Sequence, residues 1–154
     1  MSLYGFPRVT ADLDVTIDLG DVAPLALIAS LRKAGFTPRF DDEAFIEAAR
    51  VIPVVHDASA FPIDLVLAGE GLEQRFLNET VSARVSGIAI PVLSPENLVV
   101  TKLLAGRPKD LEDVRELAAM RELDHAKIDA LLELLEEALD QADLRPLYAR
   151  LRRN

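Results

Sequence analysis

The sequence predicts an α+β fold, with strands and helices mixed in the front of the chain and helices alone in the back third. Three observations predict it. Residues 12–19 alternate acidic and aliphatic with period two, the signature of a half-buried strand. Two further aliphatic runs, "VIPVVHD" at 51–57 and "FPIDLVLAG" at 61–69, are separated by the short "ASA" and read as an antiparallel hairpin. From Ser94 onward the apolar residues recur at helical spacing. The division falls near residue 93, giving a core at 1–93 and a helical subdomain at 94–154.

The first strand sends Asp12, Asp14, Thr16 and Asp18 to one face and Leu13, Val15, Ile17 and Leu19 to the other. Aspartate is among the poorest strand formers, so some need other than propensity sets those positions. A helix follows in "GDVAPLALIASLRKAGF", with Asp21 as N-cap and Gly35 as stop. "FTPRF" reads as a short strand or loop, and "DDEAFIEAARV" as a short helix or irregular segment. After the hairpin, "GLEQRFLNETV" reads as a helix and "SARVSGIAIPVL" as one more strand, placed at an edge or end by Pro91. "SPENLVVTKLLAG" opens with a Ser cap and Pro at the first helical position and stops at Gly106. "PKDLEDVRELAAMREL" is the next helix. "DHAKIDALLELLEEALDQADL" starts at a capping Asp124 and carries a stripe of Leu131, Leu134, Leu135, Ala138 and Leu139. A short helix over "RPLYARLRR" ends the chain. The phenylalanines, chiefly Phe36, Phe40, Phe45, Phe61 and Phe76, are expected in the core.

Composition bounds the function. At 154 residues, half of them hydrophobic, the chain suffices for one domain with a small appended subdomain. The absence of cysteine excludes disulfides and thiolate metal sites. No apolar run reaches the ~18 residues of a membrane span, and "MSLYGFPR" has no leader pattern, so a cytoplasmic protein without membrane contact is expected. A net charge of −9 argues against broad DNA or RNA coating, although "RPLYARLRRN" carries four arginines.

Three constellations bear on chemistry. Asp12 and Asp14 stand on one face of one strand, roughly 6.5–7 Å apart at Cα. Carboxylates so close raise each other's pKa unless a cation lies between them. Mg²⁺ is the hard cation that combines a few carboxylates with water and substrate phosphates, as phosphoryl and nucleotidyl transfer require; a solvated strand face is the plain alternative. Asp64 is the single charge inside an apolar strand, costly there unless paired or metal-bound. Beside the first strand it completes a three-carboxylate cluster; on an exposed edge it does nothing. In "KLLAGRPKDLEDV", Lys102 ends one helix, Arg107 and Lys109 occupy the turn, and Asp110 and Asp113 open the next. Dipole complementation accounts for these charges, and a basic group reaching phosphates, oriented by the carboxylates, accounts for them equally. His56 and His125 have no partner at metal-ligand spacing.

Taken together, "GFPRVTADLDVTI", "PIDLVLA" and "VLSPENLVVTKLLAGRPKDLEDVREL" resemble the nucleotidyltransferase-fold proteins of the abortive-infection toxin type (AbiEii-like) and their small relatives. The shared order over residues 4–118 is R-x-T-x-D-apolar-D, a later strand with one Asp, an apolar helix with Lys, then R-x-K-D-x-x-D. The resemblance implies a nucleotidyltransferase-like mixed, twisted sheet flanked by helices. It implies catalytic roles for Asp12, Asp14, Asp64 and Lys102, a Mg²⁺ (or Mn²⁺) site at Asp12, Asp14 and Asp64, and nucleotide binding by Arg8, Thr10, Lys102, Arg107, Asp110 and Asp113. The implied reaction moves NMP from an NTP to a hydroxyl of an RNA or protein acceptor. The family's helix ending in Gly-Gly or Gly-Ser before the D-x-D has no counterpart between Met1 and Asp12, where Gly5 stands alone. Backbone N–H groups there hold the triphosphate, so the expectation divides: an upstream segment supplies the loop, or the step is lost. Two alternatives therefore stand beside the enzyme. One is an inactive member acting as a toxin or antitoxin component with its partner, or binding a nucleotide without turnover. The other is an interaction module that docks through the helix at 124–144.

Overall fold

The computed structural model describes residues 12–153, which fall into two units, 12–78 and 79–153. The division anticipated near residue 93 lies within the second unit, at the start of its first helix.

In the first unit, β1 (Leu13–Ile17), α1 (Pro24–Lys33), β2 (Phe36–Pro38), α2 (Glu43–Ala49), β3 (Val51–His56), β4 (Phe61–Leu67) and α3 (Leu72–Asn78) follow in order. The sheet order is β1-β4-β3-β2, with β1 parallel to β4 and the other pairs antiparallel. The aliphatic half of each alternating strand turns to one face. Ile52, Val54, Leu65 and Leu67 pack there with Ile28 of α1 and Ile46 of α2. Helix α1 does not use Asp21 as its cap: Ala23 is the N-cap and Pro24 takes the first helical position, where a missing N–H costs nothing. Asp42 caps α2, accepting from the Phe45 N–H at 2.8 Å. The acidic alternation acquires separate causes along β1. Asp18 lies past the strand and accepts the Gly20 N–H at 2.9 Å, closing the turn out of it.

The second unit holds β5 (Val81–Val85), β6 (Ile88–Val92), α4 (Pro95–Ala105), α5 (Pro108–Ala118), α6 (His125–Leu139) and α7 (Leu144–Leu151). The segment read as one strand is a hairpin. Ser86 (φ 50°) and Gly87 (φ 83°) form the two-residue turn, a pair of positive φ values that matches the twist of the strands they join. Ser94 caps α4 and Asp124 caps α6, each accepting a backbone N–H three residues on.

The α6 stripe is displaced from the expected one. Ile128, Leu131, Leu132 and Glu136 are buried, whereas Leu134, Ala138 and Leu139 face outward. Buried Glu136 is satisfied by Arg145 of α7, whose Nε donates to Glu136 Oε2 at 2.6 Å and whose N–H donates to Oε1 at 2.9 Å. Those hydrogen bonds, the backbone one first, hold the Glu136 carboxyl below its usual range despite opposition from burial. Phe76 is in the core, but Phe40, Phe45 and Phe61 are exposed.

Tyr148, fully buried in α7, meets His125 Nδ1 through its hydroxyl at 2.6 Å. Burial pushes its phenol from 10.0 to about 12. The unfolded chain therefore ionises first as pH rises, so this contribution to stability is intact below pH 10 and is lost between 10 and 12. Tyr148→Phe should flatten that alkaline limb, a difference on the order of 2 kcal/mol between the two pH values. Denaturant melts of both proteins across the range check it.

Candidate active site

The first unit places three charged residues and a proline in one row. In a parallel ladder, register partners project from the same face, and Asp14 is the register partner of Asp64. Asp64 in turn is opposite Pro53 on β3. One position beyond the Pro38–Val54 pair, the Arg39 N–H donates to the Pro53 carbonyl at 2.7 Å. Arg39, Pro53, Asp64 and Asp14 thus cross all four strands on the face opposite the aliphatic core. The Arg39 side chain spans the Pro53 position and its Nη2 donates to Asp64 Oδ1. Proline is tolerated in this inner strand because its missing N–H points with its carbonyl toward β2, just where β2 ends.

Asp12 lies one residue before β1 and outside the ladder. Among the described residues no three His, Cys, Asp or Glu side chains are arranged to hold a metal ion. The assembled feature is a pair, Asp14 and Asp64, with Arg39 on one member. Two carboxylates in register on neighbouring strands repel, and the guanidinium offsets part of that. Arg8 and Thr10 lie outside the described residues.

The second unit assembles another cluster. Lys102 Nζ of α4 is 2.5 Å from Asp113 Oδ2 and 3.3 Å from Asp110 Oδ1, both on α5. Arg107 Nε, at the α5 N-cap, is 2.5 Å from Asp110 Oδ2. Asp110 is 2% exposed and Lys102 15%. Gly106 in the left-handed conformation (φ 63°) ends α4 and turns the chain tightly enough to bring the two helices' charges together. Burial raises the Asp110 pKa, but hydrogen bonds from Arg107 and Lys102, with their charges, outweigh it and hold the carboxyl below its usual range.

A family model described as "Nucleotidyltransferase of unknown function (DUF6036)" matches residues 3–151. The chain belongs to this family. Its mixed sheet and flanking helices are consistent with the nucleotidyltransferase-like fold. No curated protein matches the chain.

For this nucleotidyltransferase-family protein the donor chemistry of the row fits a hard divalent cation. Mg²⁺ is commonly held by one or two carboxylates, with waters and substrate phosphates completing its shell. Asp14 and Asp64 offer two, from adjacent strands. Sequence reasoning missed Arg39. Its signal was the Thr37-x-Arg39 alternation on the acidic face, but only the pairing of β2 to β3 connects that alternation to Asp64. Among the described residues no helix is long and apolar enough to cross a membrane.

Proposed function

We propose that this family member is a Mg²⁺-dependent nucleotidyltransferase of the AbiEii-like type, moving NMP from an NTP to a hydroxyl of an RNA or protein acceptor. The observation that carries this reading is the in-register placement of Asp14 and Asp64 on adjacent parallel strands. Asp14 and Asp64 would hold the cation, with Asp12 as a further ligand. The bound cation supplies Lewis-acid stabilisation of charge on the phosphates. A carboxylate of the pair takes the acceptor's proton as the acceptor oxygen bonds the α-phosphorus. The α–β bridging P–O bond breaks, and pyrophosphate leaves with its electron pair. In the helical unit Lys102 is committed to Asp110 and Asp113, which hold it in one orientation. Arg107, 62% exposed, is the cation of that cluster that presents most surface to a phosphate. Asp110 acts as its positioning group, while Asp113 holds Lys102.

The Arg39–Asp64 pair, which occupies one of the two carboxylates, favours one alternative, a non-catalytic member that binds nucleotide without turnover. Thermal melts with Mn²⁺, with ATP and with both test the binding common to the two readings. A ligand at a hundredfold excess over its Kd stabilises by about 2.7 kcal/mol, so Mn²⁺ with ATP should raise the Tm clearly. A Tm indifferent to both would reject nucleotide binding, and pyrophosphate release then separates turnover from binding alone.

A further inference from the structure

Resting on the nucleotidyl-transfer reading, we infer that Arg39 is a resident counter-ion that yields Asp64 to an incoming divalent cation and passes to the nucleotide's phosphates. Metal and nucleotide then bind as coupled events. Three observations carry this. The Arg39 backbone is fixed, its N–H bonded to the Pro53 carbonyl at 2.7 Å. Its side chain reaches Asp64, which is in register with Asp14 on its other side. The pair is open to exchange, Arg39 being 42% and Asp64 30% exposed.

The charge logic follows from the same residues. Without a ligand, the guanidinium and a divalent cation compete for one carboxylate. A nucleotide removes the competition, because its phosphates accept the planar fork of donors that Asp64 gives up. Arginine suits both partners, since carboxylate and phosphate oxygens present similar bidentate geometry. The exchange leaves every charge paired: Asp64 on the cation, Arg39 on phosphate.

Calorimetric titration of the full chain with Mn²⁺, then of the Mn²⁺-loaded chain with ATP, tests this. Arg39→Gln should bind Mn²⁺ alone roughly 2- to 5-fold tighter than wild type, the range set by a partly exposed ion pair, and should bind ATP several-fold more weakly. Arg39→Lys keeps the charge but loses the fork, so its Mn²⁺ affinity should stay near wild type while ATP binding weakens. Arg32→Gln breaks a different exposed pair, with Asp41, in the same unit. It removes the same net charge and should change neither affinity. Equal Mn²⁺ affinity in wild type and Arg39→Gln, with both binding the metal, overturns the inference and leaves the proposed function standing. Absence of Mn²⁺ and ATP binding in every variant overturns the nucleotidyl-transfer reading itself.

Discussion

Lys102→Met should lower the melting temperature of the helical unit by about 10–25 °C. The ammonium is the group toward which Asp110 and Asp113 both point, and the two carboxylates are buried. Removing one partner of a buried charge cluster costs about 3–5 kcal/mol. Arg107 still holds Asp110, which brings the expectation to about 2–4 kcal/mol, and a domain of this size loses about 4–8 °C per kcal/mol. Methionine keeps the aliphatic stem, so packing loss contributes little. The double variant Lys102→Met/Asp113→Leu should recover part of the loss, because it also removes the buried carboxylate that has lost the ammonium. Acid should act on the same cluster. The folded Asp110 pKa lies below its usual range, so its contribution is present above the unfolded value near 3.9 and disappears as pH falls through the folded one. Circular dichroism melts of the three proteins decide the matter; a shift of only a degree or two for Lys102→Met would show that the cluster is solvated and dispensable.

Asp14→Asn should reduce nucleotidyl transfer by about 100- to 1,000-fold. Lewis-acid assistance is worth several kcal/mol of transition-state stabilisation, and each 1.36 kcal/mol is about tenfold in rate. Asn preserves shape while removing one charge and one strong ligand. The same change relieves repulsion with Asp64, so the metal-free protein should melt at the same temperature or slightly higher. The Mn²⁺-dependent rise in Tm should vanish. Loss of transfer together with a preserved Mn²⁺ shift would place the ion elsewhere.

The fold was legible in the sequence wherever local pattern decides. The β3–β4 hairpin, the caps at Ser94 and Asp124 and the stop at Gly106 follow from alternation and end chemistry. The division of "SARVSGIAIPVL" into two strands was missed because Ser-Gly is a weaker turn signal than Asn-Gly and both flanks alternate without a break. The α6 stripe was misassigned because its leucines populate two faces, and the choice between them rests on packing with other helices, with Glu136 on the buried face satisfied by Arg145. The exposed phenylalanines reflect a one-way rule: apolar residues fill cores, but many also remain on surfaces. The carboxylate pair was half legible. Each Asp was anomalous for its strand, yet the parallel pairing that sets Asp14 beside Asp64 joins segments about fifty residues apart, and no local pattern encodes such a register. Arg39 was invisible for the same reason.

The proline at the centre of the row has a consequence for self-association. The outer flank of the four-stranded sheet on the β2 side is three residues long, ends at Pro38, and faces an inner strand that cannot donate at Pro53. A second chain seeking to add a strand there finds little ladder to copy. The opposite flank, β1, has Asp14 within it and Asp12 and Asp18 just beyond its ends, and charge on a flank is itself a deterrent to strand addition. The residues proposed to hold a cation therefore also guard the sheet against fibrillar growth, one flank by brevity and the other by charge.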